Sequence, residues 1–245
     1  MVSLYPYIYL VLPSYGVMAF VGVFTALCFL YFRFEEYNLT FHEFIKLFLL
    51  CIATCFIGSK FMYFLVAFFT PELKVNENIF ILFAQSGYVF YGGLFGVLFG
   101  VWLFQKKYKK DLHALHHMIV PALPLFHCFG RIGCQMAGCC YGVEMVNPIV
   151  LFGTIKMNLF PTQLLEAIYE LVLFIVLYCI GKRYDGDMLK LYLLCYAVFR
   201  FFIEFYRADM DRGIWLGLST AQWISCMIVM FYIGKFIVKF RMHQI

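Results

Sequence analysis

The run Phe129-Gly130-Arg131-Ile132-Gly133-Cys134-Gln135-Met136-Ala137-Gly138-Cys139-Cys140-Tyr141-Gly142 sets one cation, four glycines and three thiols inside sequence apolar enough for a membrane. Lodging a guanidinium at bilayer depth costs roughly 3 kcal/mol or more, so such a residue faces a cavity or a partner rather than lipid. The glycines let backbone and ligand come close. A planar guanidinium among them suits an anion that offers two oxygens.

The rest of the chain has the same character. Of 245 residues, 64% are hydrophobic and 13% charged, with a mean hydropathy of +0.85. A soluble domain of this size does not use so much apolar surface. The apolar residues fall in blocks near the ~20 residues that cross a bilayer as a helix. The expected fold is an all-α polytopic membrane protein, a single integral membrane domain over residues 1–245. Seven spans are read at Ser14–Phe32, Glu43–Phe69, Gly87–Phe104, Leu112–Phe129, Thr162–Gly181, Met188–Tyr206 and Leu218–Val238. The second is expected to break near Gly58-Ser59-Lys60, and the piece Ile79–Ala84 is too short to cross and reads as interfacial or re-entrant. Met1 to Pro13 has neither a basic n-region nor a small-residue cleavage site, so no cleaved signal peptide is expected.

The lysines and arginines orient the spans. With the N-terminus outside, twelve fall on the inner side and only Lys74, Lys156, Arg207 and Arg212 on the outer, with Lys60, Arg131 and Arg200 at membrane depth. This favours N-out and C-in, with Gly142–Pro161 as a short outer arm. Because the basic residues lie between spans, the net charge of +5 does not indicate a nucleic-acid partner.

Polar groups inside the spans mark where chemistry could sit. Gly92, Gly96 and Gly100 share one helix face, either as a packing seam or as a close approach for lipid with the Tyr91 hydroxyl at its edge. His113 and His117 have the spacing of a metal pair, but no metalloprotease pattern follows, and they read as a solvated helix start; His127 lies further along the same span. Gln163, Glu166 and Glu170 fall on one helix face, which reads as N-terminal dipole complementarity or as a carboxylate stripe turned toward protein or water. Arg200 with Glu204, and Glu204 with Arg207, have helical pairing distance. That ladder either neutralises itself or brings Arg200 beside Arg131 at an anionic ligand, and two such arginines point to a phosphate-bearing lipid.

Six cysteines, Cys28, Cys51, Cys55, Cys179, Cys195 and Cys226, read as small buried hydrophobes. Cys134, Cys139 and Cys140 cluster with glycines. They read as spacers, as reactive thiols, or as a Cys134–Cys139 or Cys134–Cys140 disulfide. Vicinal Cys139-Cys140 lacks the spacer of common redox pairs and no fourth ligand is evident, so no metal and no cofactor is expected.

Several blocks resemble the phosphatidylglycerol–prolipoprotein diacylglyceryl transferase family. They are Tyr15-Gly16-Val17-Met18, Phe90-Tyr91-Gly92-Gly93-Leu94-Phe95-Gly96, Gly130-Arg131-Ile132-Gly133, Pro161-Thr162-Gln163-Leu164-Leu165-Glu166, Phe199-Arg200-Phe201-Phe202-Ile203-Glu204-Phe205-Tyr206-Arg207 and Leu218-Ser219-Thr220-Ala221-Gln222-Trp223. They occur in family order along nearly the whole chain. The resemblance implies a multi-pass enzyme of the bacterial plasma (inner) membrane. Such an enzyme moves a diacylglyceryl group from phosphatidylglycerol to a prolipoprotein lipobox cysteine. Its partners are then phosphatidylglycerol, the prolipoprotein and the lipid bilayer. The resemblance also implies catalytic roles for Arg131, Arg200 and Tyr91, and substrate contacts for Tyr15, Gly92, Gly93, Gly133, Gln163, Glu166, Glu204 and Arg207. Cys134, Cys139 and Cys140 are possible reactive thiols.

This chain departs from the pattern in four places. Tyr91 stands where the family commonly has His, Cys134 and Cys139 where it has Asn and Glu, and Phe160 where it has His. Tyr91 has an ordinary pKa of about 10 and is no match for histidine as a base near neutral pH. Three other functions are compatible with the same residues. They are a lipid or anion transporter without chemistry, a thiol redox or metal protein, and a related transferase with another acceptor.

Overall fold

A computed structural model describes residues 7–8, 12–68, 89–151, 155–181, 183–208 and 213–242. Ile79–Ala84 lies outside these residues, as do Lys74, Lys182 and Arg212 of the charge pattern. The chain divides into two compact units, Phe29–Ile119 and Met1–Cys28 with Val120–Ile245. Among the described residues, four helices are long and apolar enough to cross a membrane: Ser14–Tyr31, Phe41–Leu65, Thr162–Gly181 and Thr220–Arg241. Their outward faces carry large apolar side chains such as Phe20, Phe61, Ile175 and Phe236. This is a helical membrane protein.

Helix α1 (Ser14–Tyr31) runs from the larger unit into the smaller. The smaller unit is built on α2 (Phe41–Phe68) and α3 (Phe90–Tyr108), which pack along one another. Their seam is made of glycine. A Cβ at Gly92 would strike the Gly58 carbonyl, one at Gly96 the Thr54 carbonyl, and one at Gly100 the Thr54 hydroxyl. Lipid offers no hydrophobic drive for helices to associate, so close backbone approach supplies the attraction. Helix α2 starts at a reciprocal cap: Thr40 N–H donates to Glu43 Oε2 at 2.9 Å and Glu43 N–H to Thr40 Oγ1 at 3.3 Å. Lys110 Nζ reaches the same Glu43 oxygen at 3.0 Å.

The expected break near Gly58 does not occur; α2 is continuous because Gly58 is used for contact with α3 rather than for a bend. The expected span Leu112–Phe129 does break, into α4 (Leu112–Ile119) and α5 (Ala122–Ala137), with Val120 and Pro121 between them. Pro121 has no N–H to continue the helix ladder. On α4, His113 is exposed but His117 is buried, so the solvated reading holds for only the first of that pair.

In the larger unit, α5 packs along α6 (Thr162–Gly181), and α7 (Met188–Ile203) packs along α8 (Thr220–Met242). Gly22 and Gly133 let α1 close on α5: a Cβ at Gly22 would meet Phe126 and Phe129, and one at Gly133 would meet Tyr15 and Met18. Ser219 and Gln222 cap α8 reciprocally, at 2.9 and 3.2 Å, and Gln222 Nε2 donates to Phe201 O at 3.3 Å, tying the start of α8 to α7.

The chain is not purely α. Strands β1 (Tyr7–Ile8) and β2 (Leu12–Pro13) form one small hairpin. The expected short arm is another, with β3 (Glu144–Leu151) pairing antiparallel to β4 (Ile155–Leu159). A third pairs β5 (Ile214–Trp215) with β6 (Leu218–Ser219). The single cysteines are also less buried than expected, and Cys179 is exposed. Cys55 sits in the α2–α3 seam, where a Cβ at Gly93 would meet its sulfur.

The glycine seam yields a direct test. Gly96→Val should destabilise the protein in detergent by about 1–3 kcal/mol through overpacking, whereas Gly234→Val on α8, with nothing near a Cβ, should leave the melting temperature nearly unchanged. Equal melting temperatures for the two variants would refute the seam.

Candidate active site

Three helices of the larger unit bring their charges to one buried cluster. On α5, Arg131 Nε pairs with Glu166 Oε2 of α6 and donates to His127 Nε2 at 3.1 Å. Because His127 Nε2 accepts, its proton is on Nδ1, which donates to Glu170 Oε1 at 2.9 Å. The other oxygen of Glu166 accepts from Arg200 Nη1 of α7 at 2.7 Å. Arg200 Nη2 meets Glu204 Oε2 at 2.6 Å, and Arg207 Nη1 lies 3.7 Å from that oxygen. All seven side chains are buried.

The two central arginines are held differently. Arg200 has both terminal nitrogens on carboxylates. Arg131 is gripped by its Nε. Its two terminal amino groups have no side-chain partner among the described residues, so they are the ones available to an anion.

The loop after α5 is ordered by backbone geometry. Gly138 closes the helix in the left-handed region at φ 71°, and Cys140 adopts φ 60°, where a non-glycine residue is uncommon. Cys139 N–H donates to Cys134 O at 3.2 Å. The first turn of α6 fixes the two carbonyls that follow: Gln163 Nε2 donates to Cys139 O at 2.7 Å and Thr162 Oγ1 to Cys140 O at 2.9 Å. The sulfurs of Cys134, Cys139 and Cys140 lie within 4.8 Å of one another. All three are free thiols, and their sulfurs converge as a trio. Hydrogen bonds from the Cys134 and Cys139 thiols, with the charges of Arg131 and Arg207 adding to them, hold the Cys140 thiol well below the ordinary thiol range.

Main-chain bonds then join this loop to the end of α7. Val143 N–H donates to Tyr206 O at 2.9 Å, Ala208 N–H to Tyr141 O at 3.0 Å, and Gly142 bridges Arg207. A Cβ at Gly142 would strike the Phe160 carbonyl.

The structure therefore gathers Arg131, Glu166, Arg200, Glu204 and Arg207 by direct contact, with Cys134 on α5, Cys139 and Cys140 on the adjoining loop, and Gln163 of α6 bonded to that loop. Tyr15 and Gly133 touch one another at the α1–α5 crossing. Tyr91, Gly92 and Gly93 belong to the smaller unit. Tyr91 is buried and stacks near Phe95 at 6.3 Å, while a Cβ at Gly93 would meet Ser59 and Cys55 of α2. Two members were absent from the sequence-based set, His127 and Glu170. The helical spacing of His127 to Arg131, and of Glu166 to Glu170, was the available signal; their pairing across α5 and α6 was not.

A helical membrane protein with a buried arginine held through its Nε by a carboxylate and a histidine is the class these features define. A family model described as prolipoprotein diacylglyceryl transferase matches residues 6–238. A phosphatidylglycerol–prolipoprotein diacylglyceryl transferase 2 of Clostridium perfringens (strain 13 / Type A) is 31% identical over 226 residues, 88% of this chain and 86% of that protein. The phosphatidylglycerol–prolipoprotein diacylglyceryl transferase of Clostridium tetani (strain Massachusetts / E88) is 31% identical over 236 residues, 91% of each chain. One from Chlorobaculum tepidum is 37% identical over 158 residues, 61% of this chain and 54% of that protein. The chain belongs to the prolipoprotein diacylglyceryl transferase family and is a transferase.

The ladder on α7 is testable by stability. Glu204→Gln leaves the buried Arg200 short of a counter-charge and should destabilise the protein by roughly 3–5 kcal/mol. A double-mutant cycle with Arg200→Gln should show coupling of about 1 kcal/mol or more; additive losses in the denaturation curves would refute the pairing.

Proposed function

We propose that this chain transfers a diacylglyceryl group from phosphatidylglycerol to the thiol of a prolipoprotein lipobox cysteine, forming a thioether and releasing glycerol-1-phosphate. The observation that carries this reading is Arg131, buried and fixed through Nε with its terminal amino groups available to a phosphate. In the displacement, the acceptor sulfur loses its proton and bonds to the glyceryl carbon as the carbon–oxygen bond breaks. The singly charged phosphodiester departs as a phosphate monoester, which is a dianion when the thiol proton goes to solvent and a monoanion when the monoester takes that proton itself. A fixed guanidinium therefore stabilises the transition state more than the bound lipid.

The other residues divide by contact. Glu166 pairs with both Arg131 and Arg200, so we assign Arg200 and Glu204 as positioning residues and Arg131 as the catalytic arginine. Tyr15 and Gly133, at the α1–α5 crossing, and Gln163 and Arg207 line the approach in this proposal. Tyr91 keeps the catalytic role, and Gly92 and Gly93 the substrate contacts, that their sequence block implies. A cleft of about 560 Å³ between α6 and α7, lined by Tyr169, Leu194, Cys195, Val198, Phe199 and Phe202, is apolar and of a size to take an acyl chain. The same proposal includes seven spans, N-out and C-in, in the bacterial inner membrane.

Purified protein incubated with phosphatidylglycerol and a lipobox peptide should yield a peptide heavier by one diacylglyceryl group in mass spectrometry. Arg131→Lys keeps the charge but loses the planar fork, and should slow the reaction by roughly 100-fold or more at matched folded yield. Full activity in Arg131→Lys removes Arg131 from catalysis, and no product with wild-type protein overturns the proposed acceptor or donor.

A further inference from the structure

We propose that Cys134, Cys139 and Cys140 form a binding site for a soft, four-coordinate divalent cation of the Zn²⁺ class, supplying three sulfur ligands and leaving the fourth position to a ligand from outside the chain. The sequence showed no fourth protein ligand, and the structure indicates that none is needed for a three-sulfur site with an open position, the arrangement of cation sites that take an exogenous ligand.

Geometry is the first support. A tetrahedral ion with Zn–S bonds near 2.3 Å sets its sulfurs about 3.8 Å apart. The three sulfurs already lie within 4.8 Å of one another, so closing on an ion takes side-chain shifts of about 1 Å or less. A disulfide would instead draw two sulfurs to bonding distance and leave the third aside.

The second support is pre-organisation. Convergence of adjacent Cys139 and Cys140 on Cys134 depends on two left-handed residues, Gly138 and Cys140. It is held by Gln163 and Thr162 on the carbonyls of the two cysteines. Neither α6 side chain touches a sulfur in these bonds. They fix the backbone from which the sulfurs project, as outer groups do around a metal.

Charge is the third. Three thiolates and a dication leave one net negative charge, which would be costly in a half-buried setting without compensation. Arg131, one helical turn before Cys134 on α5, and Arg207, whose backbone bridges Gly142 two residues after Cys140, supply that compensation. Access is open, because Cys139 is exposed while Cys134 is buried, giving an ion a route in from one side.

The test uses the full-length protein in detergent, reduced and freed of metal, titrated with Co²⁺ as the probe. The expected result is one Co²⁺ per chain with thiolate-to-cobalt charge-transfer bands, displaced by Zn²⁺. Cys134→Ser, Cys139→Ser and Cys140→Ser should each weaken binding by roughly tenfold or more, while Cys179→Ser on α6 should bind as wild type. Zn²⁺ should also raise the melting temperature of the wild type and not of Cys139→Ser, whose exposed position tolerates the change. Absent charge-transfer bands at saturating Co²⁺ overturn the proposal, as do bands that survive in all three serine variants. A Cys134–Cys139 or Cys134–Cys140 disulfide that forms in air and returns after reduction, with no cobalt band, overturns it in favour of a redox pair. None of these readings uses turnover, so the outcome is independent of whether the transferase assignment holds.

Discussion

Glu166 sits between two arginines, and the larger unit is arranged around that fact. A carboxylate nearly removed from solvent requires positive partners, and two guanidiniums that deep require a carboxylate. Glu166 meets Arg131 from α5 with one oxygen and Arg200 from α7 with the other. The three helices are therefore fixed in register as well as in contact, since a slide of one helical turn would strand a buried charge. Such a network adds little net stability compared with an apolar core of the same shape. What it supplies is a defined placement for Arg131, whose Nε is held by Glu166 and His127.

The two units use different means of helix association. In the smaller one, α2 and α3 approach through glycine, and the contact is backbone against backbone. In the larger one, charged groups cross between helices and are satisfied there. A glycine seam is insensitive to protonation, whereas an ionic seam depends on the charge state of every group in it. The division follows from a medium in which apolar surface alone does not drive helices together.

Much of this was legible in the sequence because its signals are local. Apolar length marked the helices, helical spacing marked the Arg200–Glu204 pair and the Glu166 face, and proximity in the chain marked the thiols. The failures were matters of tertiary use. Gly58 could bend a helix or admit a neighbour, and only packing against Gly92 decides which. Pro121 ended a helix where hydropathy ran on without interruption. His127 and Glu170 occupy different helices, so their hydrogen bond leaves no trace in spacing. The β3–β4 hairpin was hidden because an irregular register between Glu144 and Ile149 disrupts the alternation that announces a strand.

That hairpin has an evolutionary consequence. Its base is closed by main-chain bonds, from Phe160 N–H to Val143 O and from Val143 N–H to Tyr206 O, with Gly142 beside Arg207. Main-chain bonds tolerate almost any side chain, Gly142 excepted. Residues added at the far end, between Leu151 and Ile155, leave the base untouched, and each doubling of loop length costs only about 0.6 kcal/mol in closure entropy. The hairpin is thus a module whose far end can change in length while its base, and the arginine cluster beside it, stay as they are.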